Sequence, residues 1–375
     1  MNPPINLLEY EAIAAEYLSK MAYDYYVSGA WDEITLQDNR KAYQRYKLRP
    51  RMLRDVSQRH PNTTLLGYPL SMPILVAPMA FQCLAHAEGE IATAKAATAM
   101  GTTMVLSTLS TRSLEDVAEV CSDRPPWFQL YIHQDRGITK ALVQRAEAAG
   151  YQALCLTVDT PILGRRERDR RNQFTLPTGM DLANLASMAD LTIPQVEGES
   201  GLFAYILEQI DPSITWKDLE WLQSLTKLPV VVKGILRGDD AVKAVEHGAK
   251  AIIVSNHGGR QLDGAVATID ALSEAIAAVD NQVEVLVDGG IRRGTDVLKA
   301  LSLGAKAVLV GRPILWGLAV GGEAGVSHIL ELLRDELDVA MALSGCATVQ
   351  DIDKSLICSD RMVVGCVVNT PYWTD

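Results

Sequence analysis

Residues 248–260 read GAKAIIVSNHGGR, and residues 304–313 read GAKAVLVGRP. In each stretch a glycine precedes a run of four apolar residues, and glycine and arginine follow the run. Such an apolar run is typical of a strand that is buried on both faces of a sheet. A glycine just before it is typical of a helix C-terminus. The repeat therefore predicts two equivalent helix–strand units of a parallel α/β fold.

The same alternation of apolar runs and Ala/Glu/Lys-rich helical segments extends over most of the chain. Eight runs are predicted as strands: residues 74–79, 104–108, 127–132, 153–159, 229–235, 251–257, 284–290 and 307–313. Several helical segments end in a glycine, at Gly101, Gly150, Gly248 and Gly304. Eight βα units predict a TIM (β/α)8 barrel over residues 61–375, preceded by an N-terminal helical segment over residues 1–60.

The N-terminal segment carries several helix-start signals. Asn6 with Glu9 three residues later predicts a first cap, Ser19 predicts a second, and Thr35 with Asp38 predicts a third. The same segment contains the cluster Tyr23-Asp24-Tyr25-Tyr26. Aromatic packing of helices onto the barrel is the simpler explanation of this cluster, and a role in binding is the alternative.

One connection is much longer than the others. Residues 160–227 follow the fourth predicted strand, and a loop of that length is usually functional. We expect a lid over the mouth of the barrel. Its start holds five arginines between 165 and 171, interleaved with Glu167 and Asp169, which favours a solvated loop over a polyanion site, with one arginine pointing inward.

Composition excludes several classes of protein. A formal charge of −11 over 375 residues argues against nucleic acid as a partner. The six cysteines include no C-x-x-C pair, so a reduced, cytoplasmic protein without a metal site is expected. No signal peptide is evident, and prolines interrupt the uncharged stretch 61–87, so no membrane association is expected.

Active sites of barrels lie at the carboxyl ends of the strands. The residues that the eight predicted strands deliver there are Met79 and Ala80, Ser107 and Leu109, Gln129 and Tyr131, Thr157 and Asp159, Lys233, Ser255 with His257 and Arg260, Asp288, and Gly311 with Arg312. The last two loops combine glycine with arginine, including Gly289 and Arg292. Exposed N–H groups beside a guanidinium suit a phosphate monoester.

Structural explanations compete with functional ones at three of these positions. Lys233 would be costly to bury unpaired, so it is either a paired structural lysine or part of the site. His257 either bonds to the backbone or exchanges a proton near neutral pH. Asp159 is either a turn residue before Pro161 or the partner that orients an imidazole.

Together these motifs resemble the FMN-dependent 2-hydroxy-acid oxidases and dehydrogenases. The stretch Ser255-Asn256-His257-Gly258-Gly259-Arg260-Gln261-Leu262-Asp263 is similar to the signature of that family. Other ordered motifs extend the resemblance over nearly the whole chain: Tyr23-Asp24-Tyr25-Tyr26, Gln129-Leu130-Tyr131, Thr157-Val158-Asp159-Thr160-Pro161, Gly164-Arg165-Arg166, Lys233-Gly234 and the run from Asp288 to Gly294.

The resemblance implies a role for each matching residue. It assigns Ala80, Ser107, Gln129, Thr157, Lys233 and Ser255 to the flavin ring and ribityl chain, and Asp288, Gly289, Arg292, Gly311 and Arg312 to the ribityl chain and phosphate of FMN. It assigns Arg166 and Arg260 to the substrate carboxylate, Tyr25 and Tyr131 to the substrate oxygens, and His257 with Asp159 to proton transfer. Flavin accepts the electrons, which no side chain can do.

Two positions depart from the glycolate-oxidising plant branch of the family. Leu109 stands where that branch has tryptophan, and Met79 stands where it has threonine. A smaller apolar wall leaves room for a methyl group on C2 of the substrate, whose burial contributes about 1 kcal/mol. We therefore expect L-lactate, with glycolate as the alternative, and Phe203 as a further apolar contact from the lid.

The electron acceptor and the assembly are expected from the same resemblance. A haem domain, an apolar insert in the long loop and a C-terminal S-K-L are absent from the sequence, so we expect an oxidase that uses O2 and yields hydrogen peroxide. A dehydrogenase with another acceptor is the second hypothesis, and a phosphosugar isomerase or lyase is the third. The family resemblance implies a homo-oligomer, with a tetramer expected.

Overall fold

The computed structural model describes residues 3–121, 124–186 and 209–359. In chain order its strands are β1 (Tyr46–Leu48), β2 (Thr63–Leu65), β3 (Tyr68–Leu70), β4 (Ile74–Val76), β5 (Val105–Leu106), β6 (Trp127–Leu130), β7 (Ala153–Thr157), β8 (Val230–Ile235), β9 (Ala251–Val254), β10 (Glu284–Asp288), β11 (Ala307–Val310) and β12 (Ile357–Ser359). The eight strands from β4 to β11 correspond to the eight predicted runs, each shorter than its run.

Those eight strands form one parallel sheet in the order β4-β11-β10-β9-β8-β7-β6-β5. The sheet closes where Val76 of β4 meets Met104 just before β5, and the Val76 N–H donates to the Thr103 carbonyl at 3.1 Å. Since no long edge remains, the TIM barrel that the sequence predicts is confirmed.

The helices form the outer layer. They are α1 (Leu7–Tyr17), α2 (Lys20–Val27), α3 (Ile34–Lys41), α4 (Glu90–Ala99), α5 (Leu114–Glu119), α6 (Arg136–Ala148), α7 (Glu167–Arg171), α8 (Trp216–Ser224), α9 (Gly238–Glu246), α10 (Thr268–Val279), α11 (Gly294–Ser302) and α12 (Arg312–Leu343). Within α12, Gly321 and Gly322 depart from helical geometry. None of these helices is long and apolar enough to cross a membrane.

Two apolar layers hold the barrel together. Side chains such as Leu75, Val231 and Ile253 fill its interior, and Leu65 and Leu70 of the β2–β3 hairpin belong to the same buried cluster. A much larger cluster lies between the strands and the surrounding helices. Because the hairpin directly precedes β4, it covers the amino ends of the strands, which leaves the carboxyl ends for a site.

The N-terminal helices begin where the sequence predicts in two cases out of three. Asn6 Oδ1 accepts from the Leu8 and Glu9 N–H groups at 3.0 Å, and Ser19 Oγ accepts from the Ala22 N–H at 3.2 Å. The third predicted cap is wrong. Thr35 lies inside α3, where its hydroxyl donates to the Ala265 carbonyl at 3.1 Å, because a contact with the barrel outweighs a local cap.

The long connection also differs from the prediction. Residues 160–227 were expected to be one loop, but α7 lies near its start and α8 near its end. Thr215 and Asp218 form a capping box at the start of α8, a signal that the sequence contains. Phe203, expected to contact the substrate, lies outside the described residues.

Candidate active site

A cleft opens at the carboxyl ends of the barrel strands, with about 1150 Å³ of empty space that includes a part open to solvent. Seventeen residues singled out from the sequence line it: Tyr25, Met79, Ala80, Ser107, Leu109, Gln129, Tyr131, Thr157, Arg166, Lys233, His257, Arg260, Asp288, Gly289, Arg292, Gly311 and Arg312. Two others, Asp159 and Ser255, lie behind it and contact lining residues. The cleft has room for a cofactor and a small acid together.

His257 lies in a tight turn after β9 rather than on the strand. Its φ of 57° is unusual for a residue with a side chain. The Ser255 hydroxyl accepts from its backbone N–H at 3.1 Å, and its ring Nδ1 lies 2.8 Å from Asp159 Oδ1. The carboxylate therefore favours the tautomer with hydrogen on Nδ1, which leaves the lone pair on Nε2.

The charges of this pair favour a base. Burial lowers the pKa of His257 below its ordinary value, and Asp159 offsets part of that effect. Burial by itself would raise the pKa of Asp159, but His257 and Lys233 together bring it below its ordinary value. At neutral pH an ionised Asp159 therefore orients a neutral imidazole, which is able to take a proton.

Gly234, directly after Lys233, makes room for this carboxylate. A Cβ at Gly234 would lie 2.7 Å from the Cβ of Asp159, and its φ of 116° is rare for residues with side chains. The Lys233-Gly234 pair is one of the motifs by which the sequence resembles the family. The close approach to Asp159 is visible only in three dimensions.

Two arginines lie together on one side of the cleft. Arg260 Nη1 donates to the carbonyls of Tyr25 at 2.6 Å and Ser28 at 3.1 Å, and its guanidinium lies 4.8 Å from the centre of the Tyr25 ring. Arg166 is buried at the start of α7. Burial, and then the like charge of Arg260, lowers the pKa of Arg166 to about 10, so it remains a cation at neutral pH. We name Arg166 and Arg260 the carboxylate clamp.

Tyr131 lies on the same side of the cleft, just after β6. Burial, and then the negative charge of Asp159, raises the pKa of its phenol to about 12. The hydroxyl therefore stays protonated at neutral pH and is able to donate a hydrogen bond to a substrate oxygen.

Lys233 lines the cleft and is also paired with a buried carboxylate. It is therefore both a paired structural lysine and a residue of the site. Its Nζ donates to Ser255 Oγ at 2.9 Å and lies 3.3 Å from Asp288 Oδ2. Burial by itself would lower the pKa of Lys233, but Asp288 and Asp159 raise it above its ordinary value. The other oxygen, Asp288 Oδ1, is buried without a hydrogen-bond partner in the described part of the chain.

The loops after β10 and β11 form the basic end of the cleft. Gly289 and Gly290 have φ of 93° and 83°, so their backbone turns there in a conformation that suits glycine. Arg292 is partly buried, its Nε atom is buried without a hydrogen-bond partner among the described residues, and burial lowers its pKa to about 10. A partly buried cation with an unused donor, beside glycine backbone that lines the cleft, suits an anionic ligand.

Arg312 is held by the N-terminal segment. Its Nε donates to the Tyr26 carbonyl at 2.8 Å, Nη1 to Gly258 at 3.0 Å and Nη2 to Ser28 at 2.9 Å. Three of its five N–H bonds are therefore used by carbonyl groups, and two remain for a ligand. The carbonyls of Tyr26 and Ser28 belong to the end of α2, where helix geometry leaves them unpaired and electronegative.

The sequence missed several lining residues. Tyr26 lines the cleft and its hydroxyl donates to the Phe81 carbonyl at 2.7 Å, whereas within the cluster of residues 23–26 the sequence assigned an individual role only to Tyr25. Leu163 and Leu315 add apolar surface, and Gly258 approaches Arg312 so closely that a Cβ there would lie 2.9 Å from Nη1. The adjacent glycines Gly258 and Gly259 are the sequence signal that could have indicated that approach.

The fold and this cleft define a class: an α/β barrel with a phosphate-type site beside a histidine–aspartate pair and two arginines. A sequence profile of the FMN-dependent dehydrogenase family matches residues 14–359. The chain belongs to this family.

Several characterised relatives align with nearly the whole chain. It is 67% identical to the L-lactate oxidase of Nostoc sp. over 95% of this chain and 99% of that protein. It is 53% identical to human 2-hydroxyacid oxidase 1, over 95% of this chain and 97% of the relative. Among solved structures, mandelate oxidase with (S)-4-hydroxymandelic acid superposes with a TM-score of 0.89 at 44% identity, covering 95% of this chain and 99% of that one.

Proposed function

We propose that this chain is an FMN-dependent oxidase of small L-2-hydroxy acids, with L-lactate as its main substrate, pyruvate as its product and O2 reduced to hydrogen peroxide. The observation that carries the proposal is the arrangement of one cleft. The His257–Asp159 pair and the carboxylate clamp face the same space in a member of the FMN-dependent dehydrogenase family.

The residues of the cleft fit FMN. Asp288 Oδ1 and Arg292 Nε are buried polar atoms that lack partners in the described part of the chain, and the ribityl hydroxyls and phosphate would supply them. Gly289 and Gly311 would hold the phosphate with Arg292 and Arg312. Ala80, Ser107, Gln129, Thr157, Lys233 and Ser255 would hold the ring and upper ribityl chain.

Bound FMN would supply the electron acceptor, taking two electrons from the 2-hydroxy acid and passing them to O2. The carboxylate clamp would bind the substrate carboxylate with its two cations. Tyr25 and Tyr131 would donate to substrate oxygens, and Nε2 of His257 would take a proton from the substrate. Asp159 would stabilise the imidazolium that this step forms.

The choice of L-lactate rests on the wall around C2 of the substrate. Met79 and Leu109 line the cleft and are only partly buried by the protein itself, so a methyl group is able to pack against them. The high identity to the L-lactate oxidase of Nostoc sp. supports the same substrate. Glycolate is the second candidate, because the chain is also 52% identical to the glycolate oxidase of Spinacia oleracea.

A visible spectrum tests whether the protein binds flavin, and turnover rates test whether L-lactate is its preferred substrate. We expect the purified protein to be yellow and to bleach on anaerobic addition of L-lactate, with colour returning within seconds in air. A colourless protein would contradict the flavin, and a species that stays bleached in air would indicate a dehydrogenase with another acceptor. A higher kcat/KM for glycolate than for L-lactate would contradict the proposed substrate.

The assembly and location are also proposals. We infer a cytoplasmic homo-oligomer, a tetramer by the resemblance to the family, with the 2-hydroxy acid and O2 as small-molecule partners. Light scattering on the eluted holoenzyme measures the oligomeric state, and a monomeric mass would contradict it.

A further inference from the structure

Asp169 is a buried carboxyl group for which the proposed reaction has no use. It lies in α7, three residues after Arg166, and is only 2% exposed. Neither of its carboxylate oxygens has a hydrogen-bond partner in the described residues. Burying an ionised carboxylate without donors is costly, so its position calls for a compensating charge nearby.

The charged groups around Asp169 come from three elements. Arg166 precedes it on its own helix, Arg260 faces it from the turn after β9, and both attract it, whereas Asp24 of α2 repels it. The Tyr25 phenol of α2 also interacts with Asp169. The two cations that attract the Asp169 carboxylate are therefore the two members of the carboxylate clamp.

Asp24, the other buried carboxylate of this region, has its own partners. It accepts from the Asn172 amide at 2.7 Å, forms an ion pair with Lys20, and lies 3.7 Å from Arg168. Its charge is therefore balanced by groups other than the clamp. The contrast with Asp169 indicates that the clamp itself balances the charge of Asp169.

A substrate carboxylate would bring a second negative charge to the same two arginines. The like charges of the buried Arg166 and the partly buried Arg260 repel each other, and one anion offsets that repulsion. Two anions compete for the same cations and repel one another. Burial raises the pKa of the Asp169 carboxyl to about 6, so the group is able to take up a proton near neutral pH.

We propose that Asp169 is a positioning residue of the carboxylate clamp, and that a carboxylate ligand binds to Arg166 and Arg260 together with a proton taken up by Asp169. The proton comes from solvent and neutralises the Asp169 carboxylate, so the net charge of the clamp region is the same before and after binding. The inference rests on the proposed function, since it takes a 2-hydroxy or 2-oxo acid as the ligand.

Binding of pyruvate to the oxidised holoenzyme tests the coupling between carboxylate binding at the clamp and proton uptake by Asp169. We expect the pyruvate Kd of the wild type to rise between about pH 5.5 and about pH 8, because Asp169 loses its proton in the free enzyme over this range. Asp169→Asn imitates the protonated group. It should bind pyruvate about fivefold to tenfold more tightly than the wild type at about pH 8 and equally at about pH 5.5, which is the size of an ordinary coupling between sites.

Two variants on the same helix serve as controls. Asp169→Glu keeps a titrating carboxyl and should keep the pH-dependent Kd, whereas Glu167→Gln removes an exposed charge two residues away and should change nothing. A ratio of wild-type to Asp169→Asn affinity that is the same at both pH values would overturn the inference. Weaker binding by Asp169→Asn at both pH values would also overturn it, because the residue would then be a structural support only.

A second measurement covers the case in which Asp169→Asn does not fold. The shorter neutral variant Asp169→Ser carries the same expectation, and an indicator dye measures proton uptake by the wild type as pyruvate binds near pH 7. Absence of uptake contradicts the coupling. Turnover separates this proposal from the proposed function. If the wild type oxidises L-lactate but shows no coupling, only the proposed role of Asp169 is contradicted. If it neither oxidises L-lactate nor binds pyruvate, the proposed function is contradicted.

Discussion

His257 shows how single residues are held in place at the mouth of the barrel. Its left-handed backbone conformation costs about 1–3 kcal/mol, and its bonds to Ser255 and Asp159 offset that cost. The conformation turns the imidazole from the end of β9 into the cleft. Both partners are residues that the sequence pointed to, and neither lines the cleft itself.

Asp159→Asn tests the orienting bond. The amide is unable to balance an imidazolium and is able to favour the wrong tautomer, so we expect kcat for L-lactate to fall by about 10²- to 10⁴-fold. The protein should remain yellow, because Asp159 lies behind the cleft. His257→Ala should also stay yellow and lose nearly all activity; substantial turnover in that control would rule out His257 as the base.

The pH dependence of the chemical step reports on the same pair. The pKa of His257 is lowered by burial from an ordinary value of 6.5, so the ring is neutral above that pH and becomes protonated only in acid. A protonated imidazole is unable to accept a proton. The rate of anaerobic reduction at saturating L-lactate should therefore be constant near neutral pH and fall only below the ordinary imidazole pKa of 6.5. A midpoint above pH 7 would contradict this assignment.

Leu109 tests the substrate wall. Leu109→Trp fills the space proposed for the substrate methyl group, so kcat/KM for L-lactate should fall at least about fivefold relative to glycolate, as expected for the loss of room for one methyl group. Turnover of both acids is measured on the same preparation. Leu109→Met keeps a similar volume and should leave the ratio within about twofold; an unchanged ratio in the tryptophan variant would place the substrate elsewhere.

At the scale of elements, an ion pair joins strands that are not neighbours in the sheet. Lys233 on β8 and Asp288 on β10 lie on either side of β9, and their side chains are 5% and 9% exposed. The pair therefore connects the flavin end of the proposed cofactor site with its phosphate end. Neither strand has another charged group at this depth in the described part of the barrel.

Lys233→Met should destabilise the fold because it leaves the buried Asp288 without its cation. We expect a loss of about 3–5 kcal/mol in the free energy of unfolding, seen as a lower melting temperature of the apoprotein. The double variant Lys233→Met/Asp288→Asn removes both charges and should recover a large part of that loss. Equal melting temperatures for the single and double variants would show that the two side chains are not coupled.

The helices before the barrel complete its site at the scale of the whole molecule. Arg260 and Arg312 donate to carbonyls at the end of α2, and Tyr25 and Tyr26 of that helix line the cleft. Their side chains are part of the same buried cluster as the barrel helices. The N-terminal segment and the barrel therefore share one core and one site.

Binding of FMN should stabilise the whole molecule, because the ligand joins loops from several strands. The melting temperature of the apoprotein should rise with FMN concentration, with a stabilisation of about 4 kcal/mol at a thousand times Kd. Riboflavin lacks the phosphate and should give a smaller shift. Arg292→Ala should reduce the difference between FMN and riboflavin; an unchanged difference would mean that Arg292 does not hold the phosphate.

The fold was largely predictable because strand burial is a local property of the sequence. Apolar runs of the right length, several of them preceded by a helix ending in glycine, predicted the eight strands in order. Thr35 shows where local reasoning fails, since the hydroxyl of a predicted cap bonds to Ala265 more than two hundred residues away. The helix in residues 216–224 was missed although its capping box is local.

The sequence by itself determined the barrel, the family and the residue types at the strand ends, because regular apolar spacing and ordered motifs are properties of the chain. Only the tertiary structure decided how those residues are arranged. It placed Asp159 and Ser255 behind His257 and bound Arg312 to the end of α2. It also left the Asp169 side chain buried without a hydrogen bond to any of the described residues. Burial and distance between remote segments set these contacts and the resulting pKa values, and neither is encoded in local spacing.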